Sequence, residues 1–68
     1  MEESILLKAR QALDSSQLSA IRELTCEMRD GKIIINGIVP SFYLKQVAQE
    51  TLLKMNIRIE NRVLVAGS

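Results

Sequence analysis

Residues 30–41 read Asp30-Gly31-Lys32-Ile33-Ile34-Ile35-Asn36-Gly37-Ile38-Val39-Pro40-Ser41, a turn dipeptide, a β-branched run, and Pro-Ser at the mouth of an amphipathic stretch. Asp-Gly tolerates the positive φ angles of a two-residue hairpin, so the segments on its two sides are expected to pair antiparallel. Pro40 stops the strand, and Ser41 is the expected N-cap of the helix that follows. Gly37 sits on the inner face of the strand without a side chain, which points to close packing against it or to a bulge.

Downstream, Leu44, Val47, Ala48, Leu52 and Met55 recur at helical spacing, with Lys45, Gln46, Gln49, Glu50 and Lys54 on the wet side. Ile59, Asn61, Val63 and Val65 then alternate, so a last strand is expected over Ile57 to Val65. Crossovers of this kind are right-handed, which puts that strand in the same sheet and parallel to the second one. The neighbour it joins is left open.

Upstream, Ile5, Leu6, Ala9, Ala12 and Leu13 form the apolar stripe of a helix from Glu2 to about Asp14, with Leu7 off the stripe. Ser15 to Ser19 reads as a loop. From Ile21 to Arg29, Leu24, Cys26 and Met28 alternate with polar residues as in a half-buried strand. The expected order is αββαβ, an α+β fold in which two helices cover one face of a three-stranded mixed sheet as a two-layer sandwich. The 68 residues suit a single domain over 1–68.

Composition narrows the function by exclusion. Apolar residues make up 47% of the chain and charged ones 25%, with a net charge of +1, values of an ordinary globular module. A nucleic-acid binder would carry more positive charge, and a sheet platform for RNA would expose aromatics, whereas the only two, Phe42 and Tyr43, open a helix. An RNA-binding reading is therefore the weakest of those kept. With no histidine and one cysteine, neither a metal nor a cofactor has an evident set of donors. Cys26 is expected to be a small buried hydrophobe. No nucleophile stands beside a base and no phosphate-cradling glycine loop occurs, so no enzyme is expected.

No apolar run approaches the roughly 20 residues that span a bilayer. Met1-Glu2-Glu3-Ser4 lacks the cationic start of a secretory signal, which by itself favours a cytoplasmic setting. Ala66-Gly67-Ser68 follows the last strand at once, as in an excised or very compact domain.

Two surfaces stand out as candidate interaction sites. Parity puts Glu23, Thr25, Glu27 and Arg29, then Lys32, Ile34, Asn36 and Ile38, then Arg58, Glu60, Arg62 and Leu64 on the uncovered face of the sheet. Cross-strand ion pairs account for most of these, but Ile34, Ile38 and Leu64 look like the centre of a protein interface or a self-association face. The second surface is the start of the second helix. Leu44 takes the inward position there, leaving Phe42 and Tyr43, with Lys45 nearby, either to pack on the 15–19 loop or to meet a ligand or an anionic phospholipid surface.

The motifs Gly31-x-Ile33-x-Ile35-x-Gly37-x-Val39-x-Ser41, Lys45-x-x-Ala48 and Ile59-x-Asn61-x-Val63-x-Val65 resemble the BON domain, a small module of bacterial envelope, osmotic-stress and secretion-associated proteins. The resemblance spans nearly the whole chain. It implies a binding module for phospholipid surfaces or other envelope components, a bacterial envelope or periplasmic setting, and no catalytic centre. The family's Gly-Val pair before the last strand is replaced here by Asn56-Ile57, and asparagine is the next best residue for a left-handed corner. The resemblance implies structural roles for the signature glycine and for Asn61.

Overall fold

The computed structural model describes residues 2–67, and the side chain of Glu2, like Met1 and Ser68, lies outside the described set. The described residues form a compact α+β fold with three helices, a mixed three-stranded sheet and a two-stranded parallel pair. The elements are α1 (Glu2–Asp14), α2 (Ser19–Arg22), β1 (Thr25–Arg29), β2 (Lys32–Asn36), β3 (Ile38–Val39), α3 (Phe42–Leu53), β4 (Arg58–Asn61) and β5 (Leu64–Val65).

The turn between β1 and β2 forms as its dipeptide requires. Asp30 and Gly31 take φ of 53° and 76°, and β1 pairs antiparallel with β2 from Arg29↔Lys32 to Thr25↔Asn36. The last strand joins the other side of β2 in parallel, so the sheet order is β1-β2-β4. Lys32 pairs with Arg58 and Val39 with Val65, the same 26-residue separation at both ends of the strand pair. Backbone bonds from Arg62 N–H to Ile35 O and from Leu64 N–H to Gly37 O, both 2.9 Å, carry the pairing across the gap between β4 and β5.

That constant register admits no bulge at Gly37. The glycine is there for two other reasons. Its φ is +142°, and a Cβ would stand well inside van der Waals contact with Leu24 Cδ2, with Leu24 Cα at 3.5 Å. Continuing the β1–β2 register sets Leu24 opposite Gly37, so the buried leucine fills the space a side chain would need.

The expected five-element order lacks α2. Ile21, read as the start of a strand, is instead a buried residue of that one-turn helix, and the strand begins at Thr25. Arginines hold the connection in place: Arg10 donates to the carbonyls of Leu24 and Arg22, and Arg22 Nη1 donates to Ser16 O at 2.8 Å. Leu18 N–H and Ser16 Oγ add a 3.1 Å bond at the start of the turn.

The core gathers Ala9 and Leu13 of α1, Ile21, Leu24, Ile33, Ile35 and Val39, Ala48 and Leu52 of α3, and Val63. Ile5, Ala12, Leu44, Val47 and Met55 pack against it, as the two helical stripes predict, while Leu6 of the first stripe is half-buried without joining this cluster and Leu7 is exposed. Cys26 is half-buried against this core, and burial pushes its thiol pKa up. Ser41 caps α3, its hydroxyl accepting the Leu44 N–H at 3.3 Å. At the far end Asn56 adopts φ of 57°, the left-handed corner expected of it.

Candidate functional site

Phe42, Tyr43 and Lys45 line one groove of about 560 Å³ on the outer side of α3, together with Gln49, Leu53 and Asn61. Ser41 fixes the start of the helix, and Leu44, half-buried against the core, sets its rotation. Turning Leu44 inward leaves Phe42 and Tyr43 outside, 70% and 72% exposed, so neither is covered by the 15–19 loop. Leu53, at the other end of the groove, was not singled out by sequence reasoning and is 52% exposed. Its eleven-residue spacing from Phe42 on one helix was the available signal.

Asn61 forms the wall of the groove on the sheet side. Its Nδ2 donates to Lys45 O at 3.0 Å and to Gln49 Oε1 at 3.4 Å, and its Oδ1 accepts the Val63 N–H at 3.0 Å. Arg62, Leu64 and Ala66 direct their amides to the β2–β3 strand. The amide of Val63 therefore points to the open side of the sheet, where the Asn61 side chain closes it. The asparagine is thus a latch between α3 and the edge strand.

The sheet face differs from expectation at its centre. Ile34 is fully buried and so does not form an exposed interface centre with Ile38 and Leu64. The reason is in the register. Its cross-strand neighbours on that face are Glu27 and Glu60, and Lys32 is two residues away on its own strand. Lys32 Nζ meets Glu60 Oε1 at 2.5 Å, Arg62 pairs with Glu60 Oε2, and Arg29 lies 3.7 Å from Glu27. These paired side chains flank the isoleucine on that face, and those of lysine and arginine carry long aliphatic stems. Hydrogen bonds from Lys32 and then Arg62 hold the Glu60 carboxyl below the usual glutamate range.

Ile38 and Leu64 remain outside this charged cover. They are direct partners in the parallel register and each is 64% exposed, an apolar pair at one end of the open sheet face. Among the described residues no group of His, Cys, Asp and Glu is placed to hold a metal ion, and no helix is long and apolar enough to cross a membrane. The site therefore offers exposed apolar and aromatic contact area with local charge. No known protein family, curated protein or solved structure matches this chain.

Proposed function

We propose that the chain is a non-enzymatic, BON-like attachment module, a two-layer sandwich whose main helices cover one face of the mixed sheet and whose outer surfaces meet a protein, a second copy or a phospholipid surface. The observation that supports this most is the pair of exposed rings at the start of α3 with Lys45 in the same groove. Aromatics with an apolar body and, in tyrosine, a polar tip suit contact surfaces that are partly wet. Lys45 adds a donor for an acidic group on the bound object.

A second contact is supported by Ile38 and Leu64, whose pairing at equal exposure suits a small protein interface on the sheet face. The rival reading is a purely structural domain of a larger protein with no ligand of its own.

A heteronuclear NMR titration of the labelled domain with anionic phospholipid vesicles, beside a dilution series, separates these readings. Vesicle-dependent broadening at Phe42, Tyr43 and Lys45 supports membrane attachment. Concentration-dependent shifts at α3, or at Ile38 and Leu64, support attachment to a protein surface. Silence in both, together with a pulldown that captures no partner, overturns the attachment reading.

A further inference from the structure

Helix α3 carries on its outer side the spacing of a two-helix seam. Phe42, Gln46, Gln49 and Leu53 stand at steps of four, three and four, the alternation that keeps one stripe facing a parallel neighbour. The core takes the opposite side of the same helix through Leu44, Val47, Ala48 and Leu52. Phe42 and Leu53, the two ends of the stripe, are 70% and 52% exposed, and the two glutamines lie between them.

The glutamines decide between a membrane and a helix as the occupant. Laying this stripe into hydrocarbon would bury the Gln46 amide and the Gln49 NH2 group without partners, the Gln49 oxygen being taken by Asn61, a cost of several kcal/mol. Against an identical stripe, each amide finds a donor and an acceptor in its own counterpart.

Charge sets the orientation. With Phe42 and Gln49 at d positions and Gln46 and Leu53 at a positions, Lys45 falls at g and Glu50 at the next e. In a parallel pair, a g residue faces the e residue five places on in its partner. Lys45 of one copy then meets Glu50 of the other, and the two-fold axis forms the pair twice. In an antiparallel pair the two fall on opposite flanks. Among the described residues neither side chain is held in an ion pair within its own chain.

We infer that α3 is a self-association face, two copies pairing their α3 helices in parallel about a two-fold axis. This rests on the attachment reading and narrows the bound object to a second copy. The helix has 12 residues, a contact of about 18 Å with two apolar layers, so the dimer is weak and dissolves on dilution.

Sedimentation velocity and an NMR dilution series on the full chain test it. A reversible dimer is expected, with shifts along Phe42, Gln46, Gln49 and Leu53. Lys45→Glu and Glu50→Lys each set like charges against one another and weaken the dimer, about tenfold at low salt. The double variant K45E/E50K, or a mixture of the two single variants, restores it. Glu50 is exposed and Lys45 half-buried, and circular dichroism checks that the fold persists in each variant.

A monomer at millimolar concentration overturns the inference, as does a dimer that ignores both single charge reversals or maps to Ile38 and Leu64. A monomer that still broadens at Phe42 and Tyr43 with vesicles overturns the self-association alone. One silent to both vesicles and a partner pulldown removes the attachment reading as well.

Discussion

Replacing Gly37 by alanine confronts two obstacles that the geometry keeps separate. The first is backbone conformation, since φ of +142° lies where residues with a Cβ are strained, at a cost of about 1–2 kcal/mol. The second is space, because the added methyl meets Leu24 Cδ2, and Leu24 is 1% exposed in the core. Overpacking of this kind costs about 1–3 kcal/mol more. A sum of about 2–5 kcal/mol is large against the roughly 3–10 kcal/mol expected for a domain of this length.

Gly31→Ala is the control, because Gly31 has φ of 76° but no atom within 4 Å of the added Cβ. Its cost should be limited to about 1–2 kcal/mol. Urea unfolding followed by circular dichroism measures both by linear extrapolation. A cycle with Leu24→Ala isolates the clash: the double variant should lose about 1–3 kcal/mol less than the sum of the single losses. Equal costs for Gly37→Ala and Gly31→Ala, or strict additivity with Leu24→Ala, would refute the steric account of Gly37.

Asn61→Ala removes the bonds to Lys45 O and Val63 N–H, so a loss of about 1–3 kcal/mol is expected, with faster hydrogen exchange at the Val63 amide. Unchanged protection there would rule out the latch. Glu60, whose folded pKa is lowered, contributes stability above its unfolded pKa of about 4.3 that is lost as pH falls through the lower folded value. Glu60→Gln should therefore flatten the acid limb of a stability–pH curve, and an unaltered limb counts against the Lys32–Glu60–Arg62 cluster. For Cys26, burial raises the thiol pKa, so modification by a disulfide reagent near pH 8 should be slower than for a free thiol and should recover in urea. Equal rates in both conditions would contradict that burial.

Much of this architecture could be read from local chemistry. Asp30-Gly31, Ser41 and Asn56 each encode one backbone event, and each takes the conformation its side chain or lack of one favours. The stripes of α1 and α3 report helix rotation directly because burial repeats every turn. One miss is a competition between local patterns, and the others are non-local. Ile21 stands three residues before Leu24, a helical spacing, but the strand alternation starting at Leu24 hid it. The Arg10 bonds that hold this turn join residues 12 and 14 apart in sequence, and no local pattern encodes them. Ile34 was assigned to the right face, yet parity cannot say that charged neighbours will cover it. In the candidate site, Phe42, Tyr43 and Lys45 were legible from the inward claim of Leu44, whereas the Asn61 wall depends on the contact between α3 and β4.

The constant 26-residue separation between the parallel strands also orders events in time. Arg29 and Lys32 meet across three residues, and closing 26 costs about 2 kcal/mol more in chain entropy. The hairpin thus forms early, and docking of the last strand under α3 completes the barrier crossing or follows it. Trimming Ile33 to valine should then slow refolding, whereas trimming Ile59 should mainly hasten unfolding. A fold joined by one long closure releases its last strand first, and with it the Asn61 anchor that borders the α3 groove.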